Sequence, residues 1–202
     1  MIEVKDLSVE FNDTELYGGL SFHVPKGRKV ALKGESGSGK STLLNVLLGF
    51  IPAFHGSIFI DGTPLNGQNI RSIRAKTAYV PQNLHFTVFP TVRDIFFAPF
   101  RFKTNAMPSD AEINDIFKIF EISTGLLDRD IKEISGGQKQ RILLASAVLL
   151  KKPVMLLDEP TSALNKEIAV KIIDFLMRQN ITMLVATHDE NFLSKADEII
   201  EL

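Results

Sequence analysis

Apolar positions alternate at the start of the chain. Ile2 and Val4, then Leu7, Val9 and Phe11, stay close to a period of two, and Leu20, Phe22 and Val24 repeat it before the turn residues Pro25, Lys26 and Gly27. Two strands are therefore predicted. Val30 to Leu32 is a short apolar strand, after which Leu43, Leu44, Val46, Leu47 and Leu48 follow a helical pattern that Gly49 and Pro52 close. Gly56 to Gly62, G-S-I-F-I-D-G, predicts a strand ending in an Asp-Gly turn, and Ala78 to Gln82 a strand stopped by Pro81. Aromatics concentrate from Asn83 to Phe102 in a loop-like stretch. Ser109 and Glu112 then stand in capping-box spacing ahead of Ile113, Ile116, Phe117 and Phe120 on one helical face. Ser135 caps a further apolar helix. Val154 to Pro160 opens as a fully buried type of strand, Ile168, Ile172, Phe175 and Leu176 mark one side of a helix, and strands at Thr182 to Ala186 and Ala196 to Leu202 complete the series. Antiparallel hairpins thus give way to alternating strands and helices, an α/β pattern.

One junction in this series carries chemistry. The strand at Val30 runs into G-E-S-G-S-G-K-S, which matches G-x-x-x-x-G-K-[ST] from Gly34 to Ser41. Gly34, Gly37 and Gly39 permit backbone angles that side-chained residues resist, so successive N–H groups of Glu35, Ser36 and Ser38 are free to point at one anion. The following helix adds its unpaired N–H groups and the positive end of its dipole. Lys40 is expected to reach the β- and γ-phosphates, and Ser41, followed by Thr42, to offer Mg²⁺ a hydroxyl.

Composition narrows the setting. The 202 residues, 45% of them hydrophobic, suffice for one full core. A net charge of -1 gives no electrostatic attraction to nucleic acid. With no cysteine, disulfides and thiolate metal sites are excluded. The N-terminus lacks a signal-peptide core and no apolar run has the length of a membrane span, so a soluble, cytosolic protein is expected.

At five further places a structural reading has to be weighed. Phe11 is a core aromatic, as periodicity favours, or a platform for a purine ring. Gln82, taken alone, is a sheet-edge amide bonded to backbone. In I-S-G-G-Q, an ordinary cap explains Ser135 but not the consecutive helix-weakening glycines Gly136 and Gly137, which leave room for another phosphate. Asp158 and Glu159, each a structural cap if alone, together follow an apolar strand at the edge where α/β sheets bind ligands. Asp158 suits Mg²⁺ through water and Glu159 a water attacking the γ-phosphate. His188 ends another strand, a place where a lone histidine is usually structural.

Taken together, G-E-S-G-S-G-K-S, Y-V-P-Q, I-S-G-G-Q, L-L-D-E-P, S-A-L-N at Ser162 to Asn165, and Thr187-His188 resemble the ATP-binding cassette (ABC) ATPases over essentially the whole chain. The resemblance implies a P-loop NTPase core of mostly parallel sheet flanked by helices, with an N-terminal antiparallel β-subdomain and an inserted helical subdomain. Core and β-subdomain would take residues 1–84 and 149–202, the helical subdomain 85–148. It further implies Phe11 against adenine, Gly34 to Thr42 as the Walker A loop, Gln82 as a Mg²⁺-sensing residue, and Ser135 to Gln138 as the signature facing a partner's ATP. Asp158 and Glu159 become the Walker B pair and His188 the switch histidine. The implied protein is a head-to-tail dimer that hydrolyses ATP with Mg²⁺ on the cytoplasmic face of a membrane and drives an integral membrane subunit, with aromatics such as Phe86 and Phe89 as a partner site and no nucleic acid. Non-transport cassettes acting on nucleic acid or the ribosome, and ATP sensors with little turnover, are the alternatives. Asn165 departs from the family, which usually has Asp there, and the short end after His188 predicts no regulatory domain.

Overall fold

A computed structural model describes residues 1–11, 14–52, 54–83 and 90–202, with only the backbone of Phe11 and Thr14. Two sheets organise it. The first is antiparallel, in the order β2-β1-β4-β5, from β1 (Ile2–Phe11), β2 (Thr14–Val24), β4 (His55–Ile60) and β5 (Thr63–Pro64). The second runs β6-β7-β8-β3-β9, every neighbour parallel, from β3 (Lys29–Lys33), β6 (Thr77–Val80), β7 (Val154–Asp158), β8 (Thr182–Ala186) and β9 (Glu198–Glu201).

Alternation along the parallel strands divides the core. Val30, Leu32, Val154, Leu156, Leu184 and Ala186 face one way, onto α1 (Lys40–Leu47) and the antiparallel sheet. Ala31, Met155, Leu157, Met183 and Val185 face the other, among residues of α3 (Val92–Phe97), α4 (Asp110–Ile119), α5 (Gly136–Leu149) and α6 (Lys166–Met177). Burial on both faces explains why β7 and β8 read as unbroken apolar runs. Two short helices, α2 (Ile70–Ala75) and α7 (Glu190–Leu193), complete the set.

From Thr91 to Leu149 the described elements are helical, apart from one bridge between Thr91 and Asp130. Part of this corrects the loop-like reading of 83–102. The Thr91 hydroxyl accepts the Asp94 N–H and starts α3, and a 3₁₀ turn at Ala98–Arg101 follows. Phe96 and Phe100 are buried with the Ile113, Ile116, Phe117 and Phe120 face of α4, so a short, capped helix was hidden by its aromatic density. The Ser109 and Glu112 capping box is present as expected. Phe86 and Phe89 lie outside the described residues.

The opening strand contains an irregularity that the sequence reading did not call. Ile2, Val4, Leu7 and Val9 all point inward because the register shifts between Val4 and Leu7, where Asp6 adopts φ 49°. Gly56 of β4 fits against this bulge at φ 95°, and a Cβ there would lie 2.7 Å from the Asp6 carbonyl carbon. Backbone meets backbone at this point. Gly56→Ala should therefore lose at least the roughly 1–3 kcal/mol of a strained φ, seen as a Tm lower by roughly 2–12 °C for a chain of this size. An unchanged melting curve would remove the bulge from the account of the β1–β4 pairing.

Candidate functional site

Four neighbouring strands deliver their carboxyl ends to one place. β6 is followed by Pro81 and Gln82, β7 ends in Asp158 with Glu159 next, β8 leads into Thr187 and His188, and β3 feeds the glycine loop. Backbone bonds continue the ladder past the strands: Glu159 donates its N–H to the Ala186 carbonyl at 2.8 Å and Thr187 to Leu32 at 3.2 Å. The outcome is a cavity of about 380 Å³ lined by Gly34, Ser36, Gly37, Gly39, Lys40, Ser41, Thr42, Gln82, Asp158, Glu159 and His188.

The loop wraps before the helix begins. Gly39 takes φ 97° as the N-cap of α1 and its side-chainless cap leaves the helix start open. Gly34 serves differently from the sequence expectation. Its φ is ordinary, and glycine is required there for space, since a Cβ would meet the Ser38 side chain and sit 2.7 Å from the Leu202 carbonyl. Lys40 Nζ arches over the loop, donating to the carbonyls of Gly34 at 2.8 Å and Glu35 at 2.9 Å. Ser38 turns inward with its hydroxyl buried, and Glu35 is exposed outside the cavity lining.

At the base, Ser41 donates its hydroxyl to Asp158 Oδ1 at 3.0 Å. Burial pushes the Asp158 carboxyl above the usual carboxylate range, and the Glu159 charge adds to this, while hydrogen bonds from Ser41 and the Gln82 backbone oppose it. An oxygen pair of this kind fits a hard cation such as Mg²⁺, which binds through one or two protein groups plus phosphate and water. Tyr79, on β6, has its phenol pushed up to about 12 by burial and by the Asp158 charge. The Gln82 side chain is exposed on the cavity wall, not bonded into a sheet edge.

Glu159 is held in an uncommon conformation. At φ 46° it is a left-handed non-glycine residue, 7% exposed, with its carbonyl accepting Ser162 N–H at 3.2 Å and Ser162 Oγ at 3.0 Å. Its Oε2 lies 2.9 Å from His188 Nδ1, on a side chain that is 76% exposed. This pairing sets a carboxylate and an imidazole side by side on the wall facing the loop. Gln140, buried on α5, reaches the Glu159 carbonyl from behind at 3.4 Å.

The I-S-G-G-Q segment is not in this cavity. Ser135, Gly136 and Gly137 line a second cavity of about 470 Å³ with Arg141, Ala163, Leu164, Asn165 and Ile168. Ser135 and Gln138 close a capping box, each bonding the other's backbone N–H, at 3.2 and 2.8 Å. The S-x-x-Q spacing carried this signal and the sequence reading missed it. Gly137 also has a packing reason, because a Cβ would lie 2.8 Å from the Ala163 carbonyl. Asn165 caps α6 by accepting the Ile168 N–H at 2.9 Å, a task Asn performs as well as Asp. A second residue without a sequence signal of its role is Tyr17, whose hydroxyl donates to the Gly39 carbonyl. The Phe11 side chain lies outside the described residues.

Comparison with known proteins agrees with this arrangement. The sequence profile of the family described as ABC transporter matches residues 17–162. An ATP-dependent lipid A-core flippase of Vibrio vulnificus is 33% identical over 208 residues, covering 98% of this chain and 36% of the flippase. The chain thus spans about a third of the flippases' own length. The energy-coupling factor transporter ATP-binding protein EcfA of Aster yellows witches'-broom phytoplasma is 32% identical over 205 residues, covering 100% of this chain and 75% of EcfA. Among solved structures, a dimeric ATP-binding cassette in a post-hydrolysis state with ADP and Pi has a TM-score of 0.86 at 26% identity, covering 100% of this chain and 94% of that one. A bacterial Atm1-family ABC exporter with ATP bound has a TM-score of 0.87 at 26% identity, covering 100% of this chain and 37% of that one. From the profile match, the relatives and the order of its strand-end motifs, the chain belongs to the ABC transporter family of ATP-binding cassettes.

Proposed function

We propose that this chain is the ATP-hydrolysing part of a membrane transporter. The observation that carries the proposal is the Glu159–His188 pair, 2.9 Å between Oε2 and Nδ1, on the same cavity wall as the phosphate loop and Asp158. Loop N–H groups and Lys40 bind the ATP phosphates, and Phe11 stacks on adenine. Ser41, Gln82 and Asp158 hold Mg²⁺, which when bound offsets the phosphate charge. Glu159 takes a proton from the attacking water as its oxygen bonds the γ-phosphorus, the bond to the β,γ-bridging oxygen breaks, and ADP and phosphate leave. His188 orients Glu159 and the γ-phosphate.

The second cavity supports a dimer as the working form. The N-terminus of α5, a 14-residue helix, faces outward beside Asn165, apart from this chain's own phosphate loop. A head-to-tail partner would bring its ATP there, with Ser135 to Gln138 as the contact, and the solved dimeric cassette of similar fold supports that assembly. Residues 85–148 form the helical subdomain that touches the membrane subunit, a role supported by the exposed Phe102 and Met107, and residues 1–84 and 149–202 the core with its β-subdomain. Among the described residues no helix is long and apolar enough to cross a membrane. A separate or covalently attached spanning partner is required, and the cassette works at its cytoplasmic face. A clostridial relative in fold, cbiO1 of Clostridium perfringens, is part of the ABC transporter complex cbiONQ.

Purification from a native membrane extract with ATP tests the transporter reading, with recovery of a multi-span protein expected; soluble or nucleic-acid partners alone would defeat it. Glu159→Gln should keep ATP binding, slow hydrolysis by about 10² to 10⁴, and accumulate ATP-bound dimers in gel filtration. Turnover at the wild-type rate would remove Glu159 from the mechanism. Asp158→Asn should abolish Mg²⁺-dependent hydrolysis yet raise Tm at neutral pH without nucleotide. With its pKa raised by burial, the folded Asp158 keeps its proton to higher pH than in the unfolded chain, so stability is lost as pH rises through the folded pKa and asparagine removes that loss. A lower Tm for the variant contradicts the buried-charge account.

A further inference from the structure

β2 passes beneath the phosphate loop with Leu16 and Tyr17 uppermost. Tyr17 pairs with Val9 across the hairpin and is 5% exposed, in the same apolar cluster as Leu43, Leu44 and Leu47 of α1. For filling this space a leucine or phenylalanine would serve. Only a tyrosine places a hydroxyl on the Gly39 carbonyl. Burial pushes that phenol above its ordinary pKa, so it stays a neutral donor.

Gly39 is the last loop residue, at φ 97°, and its carbonyl also accepts the Leu43 N–H at 2.8 Å, the first bond inside α1. Two donors therefore hold one carbonyl toward the protein interior. Ring and loop leave no slack, because a Cβ on residue 39 would lie 3.0 Å from Tyr17 Cζ. In a planar trans peptide the C=O and N–H point in opposite directions. Fixing the Gly39 carbonyl inward thus turns the Lys40 N–H toward the cavity that Gly39 and Lys40 line.

We propose that Tyr17 is a positioning residue for nucleotide binding, its hydroxyl setting the Gly39–Lys40 peptide so that the Lys40 N–H is presented to the phosphates in advance. Preorganisation of this kind lowers the cost of ordering the loop around its ligand. The inference rests on the reading of this cavity as an ATP site.

Calorimetric titration with Mg-ATP and steady-state hydrolysis, on wild type and Tyr17→Phe, test it with melting curves alongside. Phenylalanine keeps the ring and removes the hydroxyl. Kd and KM for ATP are expected to rise about three- to tenfold, the range of one net hydrogen bond, with kcat within about twofold, since ground state and transition state lose the contact equally. A ring that only fills the core would alter Tm or the active fraction, hence kcat, and leave KM unchanged. That result overturns the proposal. A spectroscopic arm stands independently should Tyr17→Phe not fold. The chain has no tryptophan and two tyrosines, so Tyr79→Phe leaves Tyr17 as the sole intrinsic fluorophore of that class. A hydroxyl set in advance should leave this emission the same with and without saturating Mg-ATP; a large change on binding would mean that the Gly39–Lys40 peptide rearranges around the ligand, and overturns the proposal as well. A wild-type protein that binds no ATP defeats the ATP reading and this inference together, whereas wild-type binding with an unaffected Tyr17→Phe defeats the inference alone.

Discussion

The hydrogen-bond register of four parallel strands is the constraint on which the rest of the structure depends. β6, β7, β8 and β3 are direct neighbours, so the residues that follow each strand meet although they are as far apart in sequence as Ser41 and His188. Parallel pairing puts all their carboxyl ends on one edge. The register is well determined because both faces are buried. A slip of one residue would exchange Val154 and Leu156 with Met155 and Leu157 between two cores already filled by α1 on one side and α5 and α6 on the other.

That edge gathers groups that would be unstable elsewhere. Asp158 is buried beside another carboxylate, and Glu159 is bent into the left-handed region, where a non-glycine residue costs about 1–3 kcal/mol. Both are held by structure behind them. Ala186 fixes the Glu159 N–H, while Ser162 and Gln140 fix its carbonyl. The bent backbone aims the carboxylate at His188 in place of continuing β7. Opposite, the phosphate loop contributes N–H groups and Lys40, so positive potential faces the two acids across a cavity of ATP-binding character.

The I-S-G-G-Q segment and the loop around Ala163 form a second surface with its own packing logic. Gly137 is small because the Ala163 carbonyl lies against it, and Asn165 caps α6 without adding a charge. The difference between Asn and the usual Asp therefore leaves the helix start intact and changes only the charge beside Gly136. Ser135 is capped by Gln138 so that α5 begins firmly in front of an exposed, outward-facing N-terminus. Helix ends of this sort attract anions.

Much of this was legible in the amino-acid order because the relevant physics is local. The phosphate loop needs glycines, a lysine and a helix start within eight consecutive residues, and the buried strands announce themselves by composition; Ser109 with Glu112 states a cap by spacing alone. Other parts depended on neighbours distant in sequence. The aromatic stretch concealed α3 because the Phe96 ring is apolar in a loop and in a helix alike, and only burial against α4 and α5 distinguishes them. Gly34 and Gly137 look like conformational glycines, yet each is glycine because a remote carbonyl, of Leu202 or of Ala163, approaches it. Likewise Tyr17 reads as one more inward strand residue until β2 is laid under the loop and its hydroxyl meets Gly39. The sequence by itself determined where the phosphate-loop pattern stands, Gly34 to Ser41, since that is set by residue type and short spacing. Tertiary structure decided which candidate residues share a cavity, with the I-S-G-G-Q segment on a separate surface, because that follows from strand order and close packing, which local pattern does not encode.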